Sequence, residues 1–211
     1  AERANELLEA QRWEEALAEL QAAVNINPYN PNWHVSLGKL FDELGRHDDA
    51  IRAFQTVLEM DPSNVEALIG LGLDLTRTGG YRRAIECFEQ IQQVDSSLEA
   101  SYCHRILAYA ALGDHDRAEE MFYLARQFSD RCPVCYYNIG VSKYYQGRYE
   151  EALFCFRTAL ELNPKYPLVN QRLAECYWRL GKTDLARESF LAELRNDPRN
   201  LDAMLHFSHL L

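Results

Sequence analysis

Cys132-Pro-Val-Cys135 is the stretch of this chain whose residue types and spacing most clearly suggest chemistry. Two cysteines three apart at a helix entry share a face, and a thiolate there gains from the positive end of the helix dipole. Such a pair serves either as a redox couple or as two ligands of a soft metal ion. The redox reading wants a strand–helix junction, and the zinc reading wants a second pair or histidines at ligand spacing. The sequence supplies neither, so the two are read as inert cysteines at a junction. Cys87 and Cys155 read as small apolar packing on a helix. His206 and His209, three apart, lack a third ligand and read as a helix face. No glycine-rich phosphate loop, nucleophile with a positioned base, or predictable carboxylate pair is found. The sequence therefore predicts no catalytic residue, no metal, no cofactor and no enzymatic activity.

What positions these residues is a period. Ala16, Ala50, Ala84, Ala118, Ala152 and Ala186 recur every 34 residues, as do Gly45, Gly79, Gly113, Gly147 and Gly181. Leu20, Phe54, Phe88, Phe122, Phe156 and Phe190 keep the same step. A fixed period of this length predicts a solenoid. The expected division is a partial repeat 1–30, five repeats (31–64, 65–98, 99–132, 133–166 and 167–200) and the start of another, 201–211. Both ends fall inside repeats, so an excised segment is expected.

Two amphipathic helices are legible in each unit. In 133–166, Tyr136, Ile139, Gly140 and Tyr144 form the apolar stripe of the first, with Pro133 in its opening turn and Gly147 at its end. Glu150 and Glu151 open the second, Ala152, Phe156 and Ala159 form its buried stripe, and Pro164 stops it. Gly38, Gly72 and Gly140 are expected to let helix backbones approach while phenylalanines fill the space between.

The set Leu37-Gly38, Phe41, Gly45, Ala50, Phe54 and Pro62, with its counterparts in 133–166, resembles the tetratricopeptide repeat over essentially the whole chain. The resemblance implies an all-α fold, antiparallel helix pairs in a right-handed superhelical solenoid, with first helices lining a concave face. It implies protein binding or scaffolding. Departures stand out: Arg105-Ile106 replaces the Leu-Gly pair, Glu193 replaces a small residue, Ser96 and Asp130 replace prolines, and Gln11 replaces a glycine. Arg105 then needs a carboxylate partner or a rotated helix, since an unpaired buried charge costs too much.

By the family's geometry the concave offsets are Val35 and Lys39, Ile69 and Leu73, Cys103 and Leu107, Tyr137 and Val141, and Gln171 and Glu175. A turn further on lie Tyr145 and Trp178. A helix face free to solvent should be polar, so the apolar residues here suggest a peptide-binding groove. The expected groove residues are Ile69, Leu73, His104, Leu107, Tyr137, Asn138, Val141, Tyr145, Gln171, Arg172, Trp178 and Arg179. Aromatics and arginine dominate binding hot spots, and His104 would make binding pH-sensitive. The expected partner is a protein or peptide segment with apolar anchors, acidic at one end, where Arg172 and Arg179 would pair with it. A clamp of lysine, asparagine and arginine for chaperone C-termini, as the family's co-chaperones carry, is matched by Asn138 alone.

The net charge of −10 argues against a nucleic-acid partner. It falls unevenly: −7 over 1–64, −4 over 65–132 and +1 over 133–211. No apolar run approaches the ~18 residues that span a bilayer, so no membrane insertion is expected, and a cytoplasmic location is the expectation. Two alternatives to an interaction module stay open. One is a docking arm of a larger protein, such as a transferase. The other is weak self-association through solenoid ends, where Met204, Phe207, Leu210 and Leu211 form an apolar face.

Overall fold

In a computed structural model, residues 12–210 are described; Gln11 and Leu211, named above, lie outside them. Among the described residues there are twelve helices and no strands. They are α1 Trp13–Ile26, α2 Pro31–Glu43, α3 His47–Met60, α4 Val65–Arg77, α5 Tyr81–Val94, α6 Ala100–Ala111, α7 His115–Arg126, α8 Pro133–Tyr145, α9 Tyr149–Leu162, α10 Val169–Arg179, α11 Thr183–Asn196 and α12 Leu201–Ser208. The chain forms two compact units, Ala1–Ser101 and Tyr102–Leu211. In the first, α1 to α5 pack each on the next, and α2 also touches α4. In the second the same holds for α7 to α12, with α8 touching α10. Short loops between packed neighbours make the pairs antiparallel.

Local chemistry sets each boundary. Asn30, Asn64, Asp114, Cys132 and Asn200 cap α2, α4, α7, α8 and α12, each side chain accepting a backbone N–H of the first turn. Gly147 closes α8 with φ of +74°, a conformation that side chains resist.

The repeated residues meet in the core. All six alanines of the 34-residue step are fully buried, as are Phe88, Phe156 and Phe190. The rings of Phe54, Phe88 and Phe156 occupy the notches that the glycines leave. A β-carbon on Gly38 would lie 2.6 Å from a Phe54 ring carbon, one on Gly72 2.6 Å from Phe88, and one on Gly140 2.7 Å from Phe156. Gly70 presses on Phe54 from the other side. Phe122 departs from this scheme. It is only half-buried and meets Tyr136 edge-on, ring centroids 5.4 Å apart.

The charged departures are absorbed by polar contacts. Arg105 is buried with its guanidinium over the Tyr102 ring, 5.2 Å from the centroid. The buried Glu193 carboxylate accepts the Gln171 backbone N–H at 3.4 Å. At the end of α7, Arg126 donates to Asp130 at 2.8 Å.

The ring-in-notch packing predicts that Gly140→Ala lowers stability by about 1–3 kcal/mol, because the added methyl must displace the Phe156 ring. Calorimetry on the intact chain checks it, and an unchanged melting temperature refutes the assignment.

Candidate functional site

The first helices of the unit Tyr102–Leu211 carry ten of the twelve expected groove residues, and the structure divides them by depth. Tyr137, Asn138, Val141 and Gln171 are buried by the chain itself. Tyr137 lies between Phe156 and Tyr166, ring centroids 5.7 and 5.1 Å away. Asn138 donates its side-chain N–H to the Cys103 carbonyl at 2.9 Å. Gln171 donates to Glu175 at 3.0 Å and accepts from Asn200 at 2.9 Å. These side chains build the wall. They do so because α8 and α10 touch directly and Tyr166, from the loop between α9 and α10, closes over Tyr137.

His104, Leu107 and Arg172 are half-buried. The Arg172 guanidinium donates to Glu175 at 2.8 Å, while its Nε has no hydrogen-bond partner among the described residues. Burial pulls its pKa down, but the Glu175 and Tyr137 interactions outweigh this and hold it above the ordinary arginine value.

Tyr145, Trp178 and Arg179 reach the surface at the C-terminal ends of α8 and α10. Tyr145 is 55% exposed and Trp178 39%, high values for large aromatic rings. Tyr145 belongs to an aromatic group with Tyr144, 6.0 Å away, and Tyr149, 5.5 Å beyond that. Arg179 donates to the Tyr144 hydroxyl, which raises its pKa. Trp178 meets His206 edge-on at 5.8 Å, and His206 in turn stacks on Phe190 at 5.9 Å. A cavity of about 370 Å³ opens beside Trp178 and Arg179. Rigid rings, a cation and a concavity suit a side-chain anchor. Sequence reasoning placed Tyr144 and Tyr149 in the repeat core and left His206 as a helix face.

In the unit Ala1–Ser101, Ile69 and Leu73 lie half-buried on α4. A polar cluster close by went unread. His47 Nδ1 is 2.8 Å from Asp74 Oδ1 and 3.4 Å from Asp42 Oδ1, and Arg77 donates to Asp42 at 2.9 Å. Asp74 is fully buried, and its Oδ2 has no partner among the described residues. Burial, reinforced by the Asp42 carboxylate, lifts its pKa to about 6 against the pull of His47 and Arg77. Arg77 supplies the cation here, so the cluster is an ion-pair network. The same contact recurs two repeats later, where His115 Nδ1 lies 3.0 Å from Ser142 Oγ. The signal was available in the sequence: both pairs are 27 residues apart and 68 residues out of phase. A second cluster, Cys103 with Cys132 and Cys135, has its three sulfurs within 4.8 Å of one another.

Family models described as tetratricopeptide repeat match residues 2–65, 35–75 and 69–131, then 133–166, then 169–200. The chain belongs to the tetratricopeptide repeat family. Protein–protein interaction and scaffolding are the functions that such repeats imply. Protein O-mannosyl-transferase TMTC2 of Mus musculus is 36% identical over 81 residues, a match covering 36% of this chain and 10% of the mouse protein. The chain thus spans about a tenth of the length of that curated relative. Among solved structures, TTC0263, a thermophilic TPR protein of Thermus thermophilus, aligns with a TM-score of 0.78 and 23% identity, covering 86% of this chain and 98% of its own. The APC/C hetero-tetramer Cut9–Hcn1 aligns with 0.82 and 17%, covering 98% of this chain and 41% of that one. These alignments establish the solenoid fold class. No helix among the described residues is long and apolar enough to cross a membrane.

The raised Asp74 pKa carries a sign. A carboxyl that titrates at about 6 folded and near 3.8 unfolded holds its proton more tightly in the native state. Its contribution to stability is therefore best below the lower value and declines as pH rises through the higher one. Asp74→Asn should gain on the wild type between pH 4 and pH 7, by up to about 3 kcal/mol at 1.36 kcal/mol per pKa unit. Urea unfolding at several pH values reads the difference; a constant offset contradicts it.

Proposed function

We propose that this chain is a non-enzymatic interaction module that holds a segment of a partner protein against the first helices of the unit Tyr102–Leu211. The observation that carries the reading is the exposure of Tyr145 and Trp178, beside Arg179 and its cavity, on a wall where Tyr137 and Tyr177 are buried. Large rings lose little rotamer entropy on binding and offer apolar area at low cost. The anchor of the partner is an apolar side chain seated beside Trp178, with His104, Leu107 and Arg172 completing the contact. Arg179 favours an acidic residue near that anchor. Wall residues Tyr137, Asn138, Val141 and Gln171 act by fixing the geometry of α8 and α10. In the other unit Ile69 and Leu73 offer a separate apolar contact. The hetero-tetramer named for Cut9 and Hcn1 supports the general reading, since a fold of this kind assembles there with another protein.

A second reading is favoured by the match to TMTC2: the chain is the interaction arm of a larger glycosyl-transferring protein. Mannosyl transfer by the full-length gene product, retained when Tyr145 and Trp178 are replaced, would support that reading.

The test of the first uses peptides selected on the intact chain from an arrayed library. The pair Tyr145→Ala and Trp178→Ala should weaken the selected peptides by about 10- to 100-fold, as loss of a hot spot does. Far-ultraviolet dichroism and melting should stay unchanged. Full affinity in the folded double variant moves the site off this surface.

A further inference from the structure

The C-x-x-C pair has the third ligand that its sequence context lacks. Cys103, on α6, brings its sulfur to 2.6 Å from that of Cys135 and 3.5 Å from that of Cys132. We propose that Cys103, Cys132 and Cys135 form a thiolate site for one soft d¹⁰ metal ion, zinc in the first instance, that staples the start of α8 to α6.

Four observations support the site. The ligands come from two elements already fixed against each other, because the Asn138 side chain on α8 donates to the Cys103 carbonyl on α6 at 2.9 Å. A metal site needs such outer support to hold its ligands in place. Second, Cys132 is the N-cap of α8 and its sulfur accepts the Cys135 N–H at 3.3 Å. That bond and the helix dipole favour the thiolate form that binds metal. Third, Cys103 and Cys135 are buried while Cys132 is part-exposed, which leaves an entry path on the Cys132 side. Fourth, the grouping is local. Cys87, Cys155 and Cys176 are buried on other helices, their thiols pushed up by burial to about 11, 11 and 12.

The distances suit a metal after a small adjustment. With zinc–sulfur bonds of about 2.3 Å in a tetrahedron, sulfurs sit about 3.8 Å apart. The Cys103–Cys132 separation is nearly there, and the Cys103–Cys135 pair opens by a side-chain rotation. Three thiolates packed this closely would repel one another. A divalent cation removes that obstacle, because it stabilises the thiolates that otherwise repel one another. Binding releases the thiol protons and forms three metal–sulfur bonds; the fourth position takes water or another oxygen donor. The proposal does not depend on the peptide-binding reading.

The test uses the intact chain, reduced and stripped with a chelator, then titrated with zinc or cobalt(II). The expected result is one ion per chain, a thiolate-to-cobalt charge-transfer band and the intense visible absorption of tetrahedral cobalt. Cys132→Ala, at the part-exposed position, should weaken zinc binding by at least about 100-fold, since loss of outer support alone costs 10- to 100-fold. Cys87→Ala should bind as the wild type does. The helical dichroism of the apo variants is compared with the wild type, so that loss of a ligand is told from loss of fold. Zinc uptake by folded Cys132→Ala equal to that of the wild type overturns the proposal. So does a cobalt spectrum without the charge-transfer band.

Discussion

The rings of Phe54, Phe88 and Phe156 lie where β-carbons would stand if Gly38, Gly72 and Gly140 were any other residue. Each contact joins the second helix of a pair to the first, so the distance between the two is set by a ring resting on a bare backbone. Interiors tolerate little slack, and the alanines of the second helices are likewise fully buried, small residues at the same step. Everything that faces outward from the first helices inherits its position from these contacts. Tyr145 and Trp178 end two first helices, so their spacing is a consequence of packing on the opposite side.

The fold was legible because this packing repeats. A ring, a notch and a left-handed glycine at the same step, over most of the chain, admit few other arrangements. The depth of each groove residue was not legible. Tyr137 shares its offset with Ile69, and Val141 shares its offset with Leu73 and Leu107, yet Tyr137 and Val141 are buried and the other three half-buried. At Tyr137 the difference comes from a loop residue, Tyr166, that lies outside both helices of its repeat. Periodicity describes helix faces and says nothing about which loop side chain folds over them.

The same limit explains the two polar clusters. Asp74 stands on a first-helix stripe where other repeats have Leu40, Ala108, Ser142 and Cys176, so position alone suggests an ordinary core residue. Its ionic partners are His47, 27 residues earlier, and Arg77, one turn on along the same helix. Cys103 is separated from Cys132 by 29 residues, not the full 34, so its approach depends on the junction between repeats and not on the period. Zinc spacing rules look for ligands close in sequence and pass over this one. A repeat protein thus declares its scaffold openly and keeps its particular chemistry at the irregular positions.

The central claim is that a ring and a glycine are energetically one unit, and a double-mutant cycle on Gly72 and Phe88 tests it most directly. Measured by urea unfolding, Gly72→Ala and Phe88→Leu should each destabilise the chain. The double variant should be more stable than their sum implies by at least about 1 kcal/mol, because leucine vacates the space that the new methyl enters. Effects that simply add, within about 0.5 kcal/mol, would contradict the account.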